Sequence, residues 1–177
     1  MMDSTEAWEA LSSMKSLHRS LRITPVKRSQ HFFFNMIEFR FFKDSEQGVA
    51  LPFGNSGFLT RLVAVPYVLA AEVIFFRARR YFVKLGESVV GVVVFREEPD
   101  NLLIGSLGVA KEYRRLGVAT FVLRCAEQSA ARLGKEWLEL SVLKRNVPAR
   151  RLYAEFGFRW RMTRKWSLVL RKKVALV

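Results

Sequence analysis

The sequence predicts a mixed α/β (α+β) fold with a central, mostly antiparallel sheet of about six to seven strands. Two observations indicate it. Residues 81–109 contain strand-like runs separated by the turn segments GES and EEPDN, a pattern typical of two successive hairpins. Residues 117–143 then contain a helical pattern followed by another strand, and a strand, helix and strand in succession imply a parallel pair in the sheet.

The elements of the second half follow from alternation, helical spacing and turn residues. Apolar residues at helical spacing indicate a helix over 117–133, which Gly134 ends. A shorter helix begins after Asn146, a typical N-cap residue, and ends at Gly157. Strands are expected at 81–85, 89–96, 102–109, 136–143, 158–162 and 166–171, of which the last two form a hairpin.

The first eighty residues are patterned less clearly. Residues 1–20 are expected to form a helix, because Asp3 followed by Glu6 is a capping-box pattern and apolar residues recur after it at helical spacing. A strand rich in aromatic residues is expected at 31–42 and a loop at 52–57. Residues 58–80 are expected to form a helix with a break at its proline.

Length and composition indicate a single domain over 1–177, in which 1–30 form an N-terminal helical extension; monomer and homodimer both stay open. Cys125 is the one cysteine of the chain, so an internal disulfide is excluded and a reducing cytoplasm is the expected compartment. The longest apolar stretch, 62–71, is shorter than the roughly 20 residues that span a bilayer. We therefore expect no membrane partner.

The chain is strongly basic. Thirty Lys and Arg residues against sixteen Asp and Glu residues give a net charge of +14. Such an excess favours anionic partners, namely nucleic acid, a phosphorylated cofactor or an acidic membrane surface. Residues 159–173 contain seven of these basic residues and no acidic one, and most of the seven are expected to form a solvated strand face.

The segment RRLGVA, residues 114–119, carries the clearest chemical signal. It leads straight into the predicted helix at 117–133 with no Ser, Asp or Pro to begin it. A helix start has unpartnered N–H groups and about half a positive charge, and Gly117 lets a ligand approach the backbone closely. With Arg114 and Arg115 beside it, this start is predicted to bind phosphate groups, so that the ligand serves as the helix cap.

Two segments together resemble one known family. LGVAKEYRRLGVATFVL and NVPARRLYAEFGF are similar to the GNAT superfamily of acetyl-CoA-dependent N-acetyltransferases, in order and in spacing. Arg114, Gly117 and Ala119 match its R/Q-x-x-G-x-G/A loop. Its second pattern, N-x-x-A-x-x-L-Y-x-x-x-G-F, is matched by Asn146, Ala149, Leu152, Tyr153, Gly157 and Phe158. The match is firm over 101–158, extends by strand order to 81–171, and is absent from the first eighty residues.

The resemblance implies a three-layer sandwich with helices on both faces of the sheet. It also implies acetyl-CoA as cosubstrate, no metal, and direct attack of a primary amine on the thioester in a ternary complex. In the family the strand before the loop is bulged, here expected within 107–109 at Gly108, and the N–H of Val109 would polarise the thioester carbonyl. The implied cofactor-binding residues are Leu107, Gly108, Val109, Arg114, Arg115, Leu116, Gly117, Val118, Ala119, Thr120 and Asn146.

The resemblance makes Tyr153 the catalytic acid that protonates the departing thiolate, which suits a group whose ordinary pKa is about 10. The general base stays open. Ser141 occupies the position where some members of the family have a carboxylate, and an ordered water is an equal alternative. The remaining carboxylate candidates are Glu38, Glu72, Glu87 and Glu139.

The acceptor is also open. The apolar segment 53–76 favours an amine with an apolar or extended portion, such as a peptide N-terminus or a small aromatic amine, and the net charge of +14 opposes a polyamine. A protein lysine, or a protein presented on a nucleic-acid assembly such as the ribosome, also fits. The alternatives to an enzyme are a nucleic-acid-binding module that uses Trp160 and Trp166 for stacking, and a non-catalytic acyl-CoA-binding module.

Overall fold

The computed structural model describes residues 20–31, 33–35, 37 and 78–175. In this part of the chain, a seven-stranded sheet has the order β1-β2-β3-β4-β5-β7-β6, and β4 with β5 is its parallel pair. The strands are β1 Leu21–Pro25, β2 Arg79–Leu85, β3 Ser88–Glu97, β4 Asn101–Val109, β5 Trp137–Leu143, β6 Arg159–Thr163 and β7 Ser167–Lys173. The helices are α1 Val118–Arg132 and α2 Val147–Glu155, with 3-10 turns at Arg28–Gln30 and Lys111–Tyr113.

The predicted elements of the second half are confirmed, with small shifts at their ends. The hairpins β2–β3, β3–β4 and β6–β7 are antiparallel, and the connection through α1 produces the parallel pair. Gly134 and Gly157 follow the two helices with φ of 64° and 98°, left-handed angles that glycine adopts without a steric penalty. The turn chemistry therefore specified where both helices end.

The strand expected at 31–42 is wrong over its described residues, because 31, 33–35 and 37 are helical. The buried Phe34 explains the aromatic composition: its ring lies 5.6 Å from that of Phe82, in a cluster that includes Val92 and Val94. Phe34 thus packs a helical segment against the sheet. The first strand is instead β1, which pairs with β2 and was not predicted.

Helices lie on both faces of the sheet. On one face α1 crosses β4 and β5, and its buried residues share a large apolar cluster with Tyr153 of α2. These α1 residues, spaced to form a single stripe, are Val118, Val122, Leu123, Ala126 and Ala130. On the other face the helical residues around Phe34 cover β2 and β3. The predicted loop at 52–57 and most of the predicted helices at 1–20 and 58–80 lie outside the described residues. The helical extension predicted over 1–30 is wrong at 21–25, which form β1, and the helix predicted over 58–80 is wrong at Arg79 and Arg80, which belong to β2.

Candidate functional site

The parallel strands β4 and β5 separate partway along their length. Their ladder runs from the pair Asn101 and Trp137 to the pair Ile104 and Leu140 and ends there. Beyond that point β4 continues to Val109 against β3, and β5 continues to Leu143 against β7. A wedge-shaped opening therefore forms between two strands of the same sheet, at the edge where both strands have their carboxyl ends.

Two small residues stand at the apex of this opening. Gly105 and Ser141 directly follow the last paired residues of their strands, and both are exposed although they lie in the middle of a seven-stranded sheet. A residue in that position is ordinarily covered by its neighbours. Their exposure shows that solvent reaches the sheet where the two strands separate.

A bulge in β4 accompanies the separation, but it is not at the predicted position. The β3–β4 register changes between Val94 and Phe95, which pair with Ser106 and Ile104, so Gly105 is the extra residue. Gly108 pairs regularly with Val92. What Gly108 and Gly91 permit is close strand approach, because a Cβ on Gly91 would lie 2.9 Å from the Gly108 carbonyl oxygen. The expected bulge at 107–109 is therefore corrected to Gly105.

The last residues of β4 direct alternate backbone groups into the opening. The N–H of Ala110 donates to the Val90 carbonyl of β3 at 2.9 Å. Because backbone groups alternate in direction along a strand, those of Val109 and Leu107 point away from β3. In agreement, the Val109 carbonyl accepts a hydrogen bond of 3.0 Å from Nε of Arg114, not from β3. The Val109 N–H consequently faces the opening.

The loop between β4 and α1 is held in turns that only some residues tolerate. After the 3-10 turn Lys111–Tyr113, Arg115 has φ of 66° and Gly117 has φ of 77°. Arg115 is the one residue other than glycine with a positive φ in the described part of the chain. Turns of this kind make successive N–H groups converge into a concavity that binds anions. Arg115 and Leu116 are exposed at its rim.

Helix α1 begins without a side-chain cap. Gly117 is the N-cap residue, and the first hydrogen bond into the helix runs from the Phe121 N–H to the Gly117 carbonyl at 2.9 Å. Within the described residues, no acceptor is bonded to the N–H groups of Val118, Ala119 and Thr120. The uncapped start follows Arg114, Arg115 and Gly117, as the sequence indicates, and the binding of a ligand there stays a prediction.

Helix α2 begins at the same edge of the sheet, four residues after Leu143, the last residue of β5, and it is capped by a residue of its own chain. The Asn146 Oδ1 accepts a hydrogen bond from the Ala149 N–H at 3.1 Å, and Pro148 occupies the first turn. The predicted cap is confirmed. Since the amide oxygen is bonded within the protein, the Nδ2 group of Asn146 is the part that can donate to a ligand.

Tyr153 of α2 is buried, with 9% of its surface exposed, and its ring packs edge-on against Phe158 at 5.8 Å. It belongs to the cluster against which Leu107 and Val109 of β4 pack. Burial away from water raises the pKa of Tyr153 to about 12, because the charged phenolate is poorly solvated there. Its hydroxyl therefore stays protonated throughout the neutral range.

The residues considered as the general base lie in different surroundings. Glu139 is bound by two arginines: Nη1 of Arg161 and Nη2 of Arg171 both contact its Oε2. A carboxylate held in this way is a structural anion and not a free proton acceptor. Ser141 is exposed at the apex, and Glu87 is exposed in the β2–β3 turn. Glu38 and Glu72 lie outside the described residues.

A separate cavity of about 320 Å³ lies at the opposite end of α1. Its walls include Cys125, Ser129 and Arg132 of the helix and Tyr81 and Phe95 of the sheet. Arg132 is fifteen residues from Gly117, about 22 Å along an α-helix, so this cavity is distinct from the opening between β4 and β5. Burial raises the pKa of the Cys125 thiol, which lowers the fraction of reactive thiolate at neutral pH.

Two further features concern the described residues. They contain no group of three or more His, Cys, Asp or Glu side chains arranged to hold a metal ion. Among their helices, none combines the length and the apolar character needed to cross a membrane.

Solved structures match this chain over most of its length at low identity. The PaiA N-acetyltransferase from Thermoplasma acidophilum, in complex with coenzyme A, has a TM-score of 0.69 at 14% identity, covering 87% of this chain and 99% of its own. The ribosomal-protein-S18-alanine N-acetyltransferase from Escherichia coli has a TM-score of 0.64 at 14% identity, with 89% and 96% covered. A GNAT family acetyltransferase from Elizabethkingia anophelis with acetyl-CoA bound has a TM-score of 0.60 at 13% identity, and the match covers 87% of this chain and 98% of its own. These likenesses show a shared fold.

The sequence itself matches a family model. The model of the acetyltransferase (GNAT) family covers residues 58–158, and no curated protein matches the sequence. The matched stretch includes the opening between β4 and β5, the uncapped start of α1 and the capped start of α2. Because it makes up more than half of the chain, this protein belongs to the GNAT family of acetyltransferases and is an acyltransferase.

Proposed function

We propose that this protein transfers an acetyl group from acetyl-CoA to the nitrogen of a primary amine, within a ternary complex. One observation carries the proposal: the β4–β5 ladder ends at Ile104 and Leu140, and the opening beyond it leads to a helix start with unbonded N–H groups. The opening between the strands can hold an extended arm, and the helix start can bind a diphosphate. Acetyl-CoA has both parts in one molecule and supplies a reactive thioester.

The diphosphate is held in this proposal by the loop and the first turn of α1. The N–H groups of Val118, Ala119 and Thr120 donate to phosphate oxygens, and the aligned peptide dipoles favour the negative charge. Arg115 adds a positive charge at the rim, while Arg114 supports the loop through its bond to the Val109 carbonyl. Leu116 and Gly117 complete the loop, whose left-handed turns converge the donors.

The pantetheine arm is held by backbone groups of β4. Leu107 and Val109 direct their N–H and carbonyl groups into the opening, as an unpaired strand edge does toward an added strand. Gly108 lies between them and pairs with Val92 of β3. On the opposite side the Nδ2 group of Asn146 donates to the arm.

The chain contributes two groups to the chemical step. The Val109 N–H, fixed in direction by strand pairing, donates to the thioester carbonyl oxygen and stabilises the charge that develops there. Tyr153 holds the proton that the departing sulfur needs. Its pKa of about 12 lies about 3.5 units above that of an ordinary thiol, so the hydroxyl stabilises the departing thiolate mainly by donating a hydrogen bond. Any proton it passes to sulfur is replaced by the one that the attacking nitrogen must lose after the new C–N bond forms.

The amine must lose a proton before it can attack. Glu139 is held by Arg161 and Arg171, and Ser141 is not basic, so we assign this proton to water that enters at the exposed apex. The pH dependence of the rate would then follow the acceptor amine itself. An α-amino group, with an ordinary pKa of about 8, would saturate the rate about two pH units earlier than a lysine.

Among primary amines, we favour a peptide N-terminus or a small aromatic amine. The apex offers room because Gly105 and Ser141 have small side chains, and the segment 53–76 is apolar in sequence. A protein lysine is the next candidate, and polyamines are opposed by the net charge of +14. A reducing cytoplasm remains the proposed compartment, on the basis of the single cysteine.

Thermal melts with acetyl-CoA, coenzyme A and ATP test the site, and mass spectrometry of amine panels tests the reaction. Stabilisation by the first two ligands and not by ATP, together with an acetylated amine, supports the proposal. Binding of acetyl-CoA without an acetylated product from any amine of the panel would contradict the proposed acceptor class.

A further inference from the structure

The β6–β7 hairpin carries two tryptophans that the acetyl-transfer site does not use. Trp160 is 65% exposed and Trp166 is 71% exposed, although Trp is a residue that folded proteins usually cover. Arg164 and Lys165 lie in the turn between them, and both are exposed. We call Trp160, Arg164, Lys165 and Trp166 the hairpin surface.

The hairpin surface is held by internal hydrogen bonds and has no acidic residue of its own. The Arg164 N–H bonds the Ser167 carbonyl at 2.8 Å and closes the turn. The indole N–H of Trp160 donates to Oγ1 of Thr163 at 3.1 Å, which fixes the ring and satisfies its polar group inside the protein. Lys165 Nζ lies 5.2 Å from the ring centroid of Trp166. Two oriented aromatic faces are thus presented beside cations.

Another tryptophan of the same sheet provides a contrast. Trp137 of β5 is half-buried, and its ring is covered by Arg171 at 4.9 Å and Lys173 at 5.9 Å from the ring centroid. Its cation–π contacts are therefore made within the chain. Trp166 also has a cation of its own chain beside its ring, Lys165, but Trp160 and Trp166 keep most of their surface exposed to solvent, so an external flat group can stack on them.

From these observations we propose that the hairpin surface binds single-stranded nucleic acid, with bases stacked on Trp160 and Trp166 and phosphates paired with Arg164 and Lys165. Aromatic platforms beside cations are the general means of binding single strands. A lipid surface would call for a continuous apolar face, whereas here the exposed cations Arg164 and Lys165 lie in the turn between the two tryptophans.

The position of the surface connects it with the acetyl-transfer site. The Lys144 N–H donates to the Trp166 carbonyl at 3.1 Å, and Leu143 at the end of β5 pairs with Ser167. The turn therefore lies at the edge of the sheet where α2 begins at Asn146. If the proposed acetyl transfer holds, on which this step rests, a bound strand would present its associated protein acceptor beside the opening.

Fluorescence anisotropy of the full chain with labelled oligouridylate tests the proposal, and oligothymidylate distinguishes RNA from DNA as the source of the strand. The double variant Trp160→Ala/Trp166→Ala is expected to weaken binding at least about tenfold, since each stacked base contributes substantially. Arg164→Gln and Lys165→Gln are each expected to lower the slope of log K against log salt by about 0.7.

Arg132→Gln, which removes an equally exposed charge at the far end of α1, is the control and should leave the affinity within about twofold. Absence of binding to both oligonucleotides, or equal affinity of the wild type and the double Trp variant, would overturn the proposal. So would binding of the wild type to phosphatidylserine vesicles that is lost in the Trp variant while oligonucleotide binding is unchanged. Acetyl-CoA melts run on the same variants should stay unchanged, which separates this proposal from the acetyl-transfer one.

Discussion

The two helices of the second half begin at the same edge of the sheet but in opposite ways. Helix α2 is capped by its own Asn146, whose side chain bonds the Ala149 N–H. Helix α1 begins at Gly117, with no side-chain cap and with three N–H groups to which the described residues offer no acceptor. From this difference we infer a division of labour: the positive end of α1 is left for a ligand, whereas the start of α2, the helix that carries Tyr153, is stabilised by its own cap.

The largest effect is expected from Tyr153→Phe, a substitution in α2 that keeps the aromatic ring and removes the hydroxyl proton. We expect kcat to fall by about 100-fold or more, because general acid catalysis contributes on that scale, while the KM for acetyl-CoA changes little. Steady-state kinetics with a reactive amine measure both. An unchanged kcat would remove Tyr153 from catalysis and leave α2 a purely structural role.

The pH dependence of stability tests the burial of the same group. The folded-state pKa of Tyr153 is about 12, against about 10 in the unfolded chain, so only the unfolded state loses this proton between those values. Stability should therefore fall as pH rises from about 10 to 12, by up to about 3 kcal/mol from this group. Denaturant unfolding of the wild type and of Tyr153→Phe isolates this contribution: the free energy of unfolding of the wild type should fall relative to that of Tyr153→Phe as pH rises from about 10 to 12. A difference that does not change with pH would contradict the assignment.

Gly117→Ala tests the start of α1, with Gly134→Ala as a matched control. Both glycines have left-handed φ, 77° and 64°, so each alanine should cost about 1–2 kcal/mol of stability. A Cβ at Gly134 meets nothing within 4 Å, and that residue follows the far end of α1. Only Gly117→Ala should also weaken acetyl-CoA binding, by about tenfold or more, since it alters the donors at the phosphate site. Equal affinities measured by calorimetry would contradict the division.

The smallest effect is expected at the start of α2. Asn146→Ala removes the cap and should destabilise the protein by about 1 kcal/mol. Asn146→Asp keeps a capping oxygen, so its stability should stay near that of the wild type, but it replaces the Nδ2 donor with an acceptor. Coenzyme A affinity that falls in both variants supports the arm contact, whereas affinity that falls in neither restricts Asn146 to capping.

The sequence was most informative where local rules agree with the fold. In residues 81–171 the alternating strands, the turn glycines and the Asn146 cap each specify structure within a few neighbours, and all were predicted. The RRLGVA segment was recognisable because a missing cap is itself a local signal.

What the sequence did not reveal depends on contacts between distant segments. The run around Phe34 has strand composition but is helical, because its aromatic residues pack on Phe82 across a large sequence separation. Strand β1, with five residues, is specified by its pairing with β2 more than by its own pattern. The bulge lies at Gly105 and not at Gly108, and two glycines three residues apart give no local reason to choose between them. Glu139 is likewise a candidate base in the sequence, but in the structure it is paired with Arg161 and Arg171, which are distant from it in sequence.

Amide hydrogen exchange at the two helix starts tests the central claim most directly. With coenzyme A added, the N–H groups of Val118, Ala119 and Thr120 should become protected by about tenfold or more, because they gain phosphate acceptors. The Ala149 N–H, already bonded to Asn146, should change little. Protection confined to α2, or unchanged exchange at Val118, Ala119 and Thr120 in the presence of bound coenzyme A, would contradict the account.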